Sequence, residues 1–321
     1  MSEARVNRSS SKNNDLYLEN EILAPFAHIS QVKGKQLRLK IVKAFNYWLQ
    51  ISDEDMNRAT GLVNMLHVGT LLIDDIQDNC TVRRGMPAAH SVYGIPLTIN
   101  ASLQVIALVI EKSFELDPRA TKFFSEDFLE VARGQGIDIY WRDNLICPTE
   151  EQYNKMNEQK TGHMLLMAVR MMQLFSKNKA DYSKLVLLLG RYFQIRDDYC
   201  NLSQQEALEE WPGKEDTQSG LNICKDNHFC EDITEGKISL PIIHALQRTK
   251  HGGAVLNIIR QKTHDVQLKK YCVSLLEDGG SLQYTRDVLA RLDLEARSQI
   301  ARYGGNPKLE AVLDELLSWK S

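Results

Sequence analysis

An all-α fold is what this sequence predicts, and three observations carry the prediction. The eight prolines of the 321-residue chain leave three long proline-free windows, 26–86, 149–211 and 242–306. Such windows suit helices, because an interior proline removes a helix hydrogen bond and clashes with the preceding turn. Within them apolar residues recur at three- and four-residue steps, as at Met56, Ala59, Leu62, Val63 and Leu66, with Thr70 continuing the row. That is the period of one helix face, whereas the two-residue alternation of strands is scarce.

The elements follow in order. Residues 1–14 are polar and expected to be disordered. The first window holds a long helix whose apolar run Leu71-Leu72-Ile73 leads directly into Asp74. Turn chemistry then breaks the chain at Arg84-Gly85-Met86-Pro87, Tyr93-Gly94-Ile95-Pro96, Asp117-Pro118 and Cys147-Pro148. A second apolar helix runs from Leu185 to Ile195. The stretch 203–222, with Trp211-Pro212-Gly213 and Ser219-Gly220, reads as a polar insertion loop, and Gly252-Gly253, Gly279-Gly280 and Gly304-Gly305 punctuate the remainder. No fixed-period repeat points to a solenoid, so a single domain over 1–321 is expected.

Composition narrows the function. With 39 basic and 42 acidic residues the net charge is -3, too small a field to attract nucleic acid or an anionic membrane. The six cysteines show neither paired metal-ligand spacing nor a disulfide framework, which fits a reduced, cytoplasmic location. The opening residues lack an apolar core of signal-peptide length, and no stretch is expected to have the apolar length of a membrane span.

The chemistry concentrates in Asp74-Asp75-Ile76-Gln77-Asp78. On a helix, positions 74 and 78 share a face with Cβ atoms about 6 Å apart. Converging oxygen ligands suit Mg²⁺, a hard cation commonly shared with substrate phosphates. Alone, such a motif is more often a solvated acidic face. A second cluster, Asp197-Asp198-Tyr199-Cys200-Asn201, repeats the pattern with an amide oxygen at Asn201. Facing each other across a bundle, the two could hold several Mg²⁺ ions around one diphosphate. Arg83-Arg84 follow the first cluster, and the arginine fork suits phosphate oxygens. Lys35, Arg38, Lys160 and Lys237 are further candidates that spacing alone does not single out.

From about Leu23 to about Leu313 the sequence resembles the trans-prenyl diphosphate synthase family, in particular geranylgeranyl diphosphate synthases of animal and fungal type. The resemblance runs through Gly34-Lys35-Gln36-Leu37-Arg38, Leu71 to Asn79, Arg83-Arg84-Gly85, Gly134 to Asp143, Lys160-Thr161-Gly162, Phe193 to Tyr199 and Phe229 to Lys237. It implies an antiparallel helical bundle around a deep central cavity with both aspartate motifs at its mouth, and a homodimer or larger homo-oligomer. It further implies Mg²⁺ bound by Asp74, Asp75, Asp78, Asp197 and Asp198, an allylic diphosphate gripped by Arg83, Lys160, Thr161, Gln194 and Lys237, and isopentenyl diphosphate held by Lys35, Arg38, His67 and Arg84. Outside that context a lone histidine such as His67 is usually a satisfied core residue.

The chain departs from the family pattern at several places. Asn227 stands where a lysine is usual, with Lys225 displaced; Val68-Gly69-Thr70 replaces Asn-Ala-Ser. Ile106, Ala107 and Ala132 occupy the expected cavity floor, and His163 replaces the second glycine after Lys160-Thr161, so that Gly69, Thr70 and His163 are expected in the cavity wall. Lys35, Arg38, His67 and Arg84 make the first expectation a prenyltransferase that condenses isopentenyl diphosphate with an allylic diphosphate, whereas the altered walls and Asn227 favour an alternative. The alternative is a terpene synthase of the same fold that converts geranyl or farnesyl diphosphate to a hydrocarbon. A non-catalytic partner subunit is disfavoured by the two intact aspartate motifs.

Overall fold

The computed structural model describes residues 17–32, 37–203 and 229–317. Expectations for residues 1–14, for Lys35, for nearly all of the insertion at 203–222 and for Lys225 and Asn227 fall outside the described residues.

The described chain is an antiparallel helical bundle with a single two-stranded ribbon. Its principal helices in the first half are α1 (Ala24–Ser30), α2 (Leu37–Ala44), α3 (Asp53–Gln77), α4 (Ile95–Leu116) and α5 (Pro118–Asn144). Next come α6 (Glu150–Asn157), α7 (His163–Gln173), α8 (Ser183–Leu202) and the short α9 (Glu231–Glu235). The chain closes with α10 (Leu240–Arg248), α11 (Gly252–Arg260), α12 (Val266–Asp278), α13 (Ser281–Arg302) and α14 (Pro307–Leu316).

Helix boundaries follow local chemistry. Ser52 opens α3 by accepting from the backbone N–H of Asp55, and three acidic residues in the first turn complement the helix dipole. Thr149 and Gln152 form a reciprocal capping box at the start of α6. The break at Arg84-Gly85 is a tight hairpin: both residues have positive φ, 52° and 76°, and they join β1 (Val82–Arg83) to β2 (Met86–Pro87). That turn folds Arg83 back over the end of α3.

Helix α3 packs against α4 and α7, α5 packs against the same two, and α8 against α13. Leu66, Leu72, Val105, Val109, Met167, Met171 and Tyr192 are among the fully buried core side chains. Helix α4 corrects one expectation, being long and apolar enough by length and composition to cross a membrane. Its inner edge packs in the bundle, where Ser102 donates to the backbone of Gly69, while Ile95, Ile99, Leu103, Ile110 and Phe114 form an exposed apolar row.

Candidate active site

The C-terminal ends of α3 and α8 carry the two aspartate motifs to one polar chamber of about 210 Å³. Asp74, Asp78, Asp197 and Asp198 all line it, together with Arg83, Arg84, Lys160 and Lys237. The chamber shares Arg38, His67, Leu71, Asp74, Lys160 and Gln194 with a more apolar cavity of about 290 Å³ beneath it, walled by Ile73, Ile106, Phe128, Val131, Ala132, Ile139 and Met164.

The acidic and basic groups interlock. Lys237 donates to Asp198 Oδ1 at 2.7 Å, Gln194 to the same oxygen at 2.9 Å, and Tyr153 to Oδ2 at 2.6 Å. Thr161 donates to Gln194 at 2.6 Å, which extends the chain of bonds into the apolar cavity. Lys160 pairs with Asp138 at 2.7 Å, and Arg142 with Asp78 at 2.5 Å. Burial pulls the ammonium of Lys237 down, but Asp198, Asp232, Asp138 and Glu235 outweigh it and hold its pKa well above the usual lysine range. Lys160 likewise rises, because Asp138 and Asp74 overcome its desolvation. Both lysines therefore stay charged beside the chamber.

Across the mouth, Arg38 lies 3.0 Å from His67 Nε2 and stacks 5.0 Å above the Phe193 ring. Arginine can only donate, so His67 accepts at Nε2 and carries its proton on Nδ1. Burial, then Arg38, Arg84 and Arg83, push the His67 pKa well below its ordinary value, which keeps the ring neutral. Arg84 donates to the backbone of Val32 at 2.7 Å.

Lys160 and Thr161 are placed by a π-helical turn, Glu158–Gly162, inserted between α6 and α7. Such turns are frequent at functional sites. Glycines allow it to fit: a Cβ on Gly134 would stand 2.4 Å from the backbone N of Lys160, and one on Gly190 would stand 2.3 Å from the Cα of Gly162.

Several sequence expectations are redrawn. Asp75 does not line the chamber; one residue beyond Asp74 is about 100° around the helix, and there it is buried against Arg83, which donates from Nε at 2.6 Å. Asn201 lines the chamber, but its amide oxygen accepts from the backbone N–H of Asp232 at 3.1 Å and so braces the next segment. Thr70, Ile106 and Ala132 line the apolar cavity; Ala107, on the next helical position, is exposed and does not. Gly69 faces α4, where a Cβ would meet Val105 at 2.7 Å. His163 also lies outside the cavity lining and sits 2.8 Å from Asp127.

A prenyl synthase profile decides the family. The sequence pattern described as polyprenyl synthetase matches residues 19–276. The chain belongs to the polyprenyl synthetase family. It is 50% identical over 318 residues to a terpene synthase of Matsumurasca onukii, covering 99% of this chain and 98% of that protein. It is 38% identical over 299 residues to a geranylgeranyl pyrophosphate synthase of Mucor circinelloides f. lusitanicus, covering 93% of each. A geranylgeranyl pyrophosphate synthase of Dictyostelium discoideum is 39% identical over 297 residues, 92% of this chain and 93% of that protein. The polyprenyl synthetase fold thus accounts for the bundle, and the chain is an enzyme of the prenyltransferase family.

The chamber contains residues that the sequence alone does not single out: Asp138, Arg142, Asp232 and Glu235 all line it. Gln135, Asp138, Ile139 and Arg142 are spaced as one helix face, the signal that could have found them. The donor set fits a hard divalent cation, since the side chains of Asp74, Asp78, Asp197 and Asp198 offer oxygens, and Asp232 Oδ2 is buried without a hydrogen-bond partner. The fit is one of chemistry: among the described residues no three acidic side chains already stand at shared-ligand spacing.

Proposed function

We propose that this chain ionises an allylic prenyl diphosphate with Mg²⁺ and releases the cation as a terpene. The observation that carries the reading is the direct opening of the charged chamber into the apolar cavity through shared residues. A diphosphate headgroup suits the first and an isoprenoid tail the second. The choice of a terpene product follows from the greater likeness, at full length, to the Matsumurasca terpene synthase than to the two geranylgeranyl pyrophosphate synthases.

In this reading Asp74, Asp78, Asp197 and Asp198 would hold the Mg²⁺ ions, which when bound neutralise the diphosphate and strengthen it as a leaving group. Lys160 and Lys237 place fixed positive charge beside the departing oxygens. Thr161 and Gln194 orient the headgroup at the cavity entrance. The carbon–oxygen bond breaks with its electron pair leaving on diphosphate, and a C–H beside the cation gives its proton to an oxygen of the departed diphosphate as its bonding pair closes the double bond. The apolar walls keep water from the cation and raise the worth of each oriented dipole.

A second reading, elongation with isopentenyl diphosphate, is favoured by Arg38, His67 and Arg84, which line the same chamber. Incubation with geranyl or farnesyl diphosphate, with and without isopentenyl diphosphate, separates the two. Terpene synthesis predicts hydrocarbon in both mixtures. A longer prenyl alcohol after dephosphorylation, formed only with the second substrate and without hydrocarbon, would establish elongation instead.

The exposed row on α4 is where we place a second copy of the chain, since a contiguous apolar patch marks an interface. Leu103→Glu should then shift sedimentation toward the monomer. A cytoplasmic location remains our reading of the scattered cysteines.

A further inference from the structure

A charged cluster lies below the cavity and takes no part in the chemistry above. Asp127 on α5 is fully buried. Its Oδ1 is 2.8 Å from His163 Nδ1 and 2.9 Å from an Arg170 terminal nitrogen, and the same nitrogen is 3.1 Å from Oδ2. His163 and Arg170 both belong to α7, and Arg170 also lies over the Phe123 ring at 5.8 Å. Burying a carboxylate is costly unless it is paired and hydrogen-bonded, so the cluster holds α5 and α7 in one relative position.

That position matters because cavity-lining residues flank the cluster. Phe128 follows Asp127, Val131 stands one turn further along α5, and Met164 follows His163; all three line the apolar cavity. Phe128 is stacked on Phe124, with ring centroids 5.2 Å apart. Higher up, the same α5 meets the π-helical turn backbone to backbone at Gly134 and Lys160. The two segments are therefore pinned at the headgroup end by a glycine contact and at the tail end by charge. His163 stands where the family pattern has glycine, so this chain supplies the imidazole itself.

We propose that Asp127, His163 and Arg170 form a positioning clamp that fixes the floor of the apolar cavity and so sets the prenyl chain length the enzyme accepts. The inference rests on the cavity being the prenyl site. None of the three touches the substrate; they act through Phe128, Val131 and Met164.

The test is binding of unreactive thiodiphosphate analogues of geranyl, farnesyl and geranylgeranyl chains, with Mg²⁺, by titration calorimetry on the full-length protein. The wild type should show a length cut-off, with affinity falling by at least about tenfold once the chain exceeds the cavity, the scale set by leaving several methylene groups unburied. Asp127→Asn, His163→Ala and Arg170→Met should each move the cut-off by one isoprene unit or flatten it. Arg170→Met and His163→Ala, at partly exposed positions, keep the test open if Asp127→Asn fails to fold. Folded variants that melt earlier yet keep the wild-type cut-off would overturn the clamp alone. Failure of the wild type to bind any analogue would overturn the proposed function and the clamp together.

Discussion

Lys237 and Asp198 stand 2.7 Å apart, with the carboxylate 1% and the lysine 14% exposed. Asp198 thereby sits at the centre of a network that reaches Tyr153, Gln194 and, through it, Thr161. Asp198→Asn should lower turnover by at least about a hundredfold, the scale of removing one major electrostatic stabiliser. Single-turnover kinetics check this, and Asp74→Asn should behave alike. Asp75→Asn should act differently, by releasing Arg83, and raise the Michaelis constant more than it lowers turnover.

Glu235 gives the protein a pH dependence of definite sign. Burial, then Asp78, raise its pKa from 4.5 to about 7, against the pull of Lys237. The folded state thus holds this proton more tightly than the unfolded chain. Its stabilising contribution is fully present below about pH 4.5 and is lost as the pH rises through about 7. In metal-free buffer the wild type should lose melting temperature relative to Glu235→Gln between about pH 5 and about pH 8. A constant difference between the two melting curves would remove this assignment.

The cavity floor can be tested with a pair of substitutions one of which is silent. Ala132 lines the apolar cavity whereas Ala107 is exposed on the next position of α4 from Ile106. Ala132→Phe should shorten the longest chain accepted, and Ala107→Phe should leave the product profile unchanged. Gas chromatography of both product mixtures decides between this floor and one that lies elsewhere.

Gly134 is a packing requirement with a functional reach. A methyl group there would collide with the backbone of Lys160, and overpacking of this kind costs about 1 to 3 kcal/mol. Gly134→Ala should lower the melting temperature and also weaken substrate binding, because the same displacement moves Lys160. A variant that melts earlier but binds normally would confine the role of Gly134 to stability.

The helical fold was legible because proline spacing and apolar period are local properties. The two aspartate motifs were legible for the same reason, and their meeting at one chamber followed from the resemblance. What sequence did not show were relations across the bundle. Asp75 and Asp74 look equivalent in the chain, yet a single helical step turns one to Arg83 and the other to the chamber. The resemblance assigns Ala107 to the floor beside Ile106, but one helical step carries it to the exposed side. The resemblance places His163 in the cavity wall, and nothing local announces its partner Asp127, 36 residues away. The apolar reach of α4 was underestimated because its scattered serines and threonines, which bond within the bundle, break up the run in the sequence.

The central claim is that carbon–oxygen cleavage to an allylic cation is the step this chamber promotes, whatever then traps the cation. Fluorine placed beside the reacting carbon destabilises that cation while scarcely altering the size or charge of the diphosphate. Turnover of a fluorinated geranyl or farnesyl diphosphate should therefore fall by at least about a hundredfold, about 2.7 kcal/mol on the barrier, while calorimetric affinity stays within a few-fold of the parent substrate. Equal turnover of the fluorinated and parent substrates, at saturating concentration and with chemistry shown to limit the rate, would contradict the account.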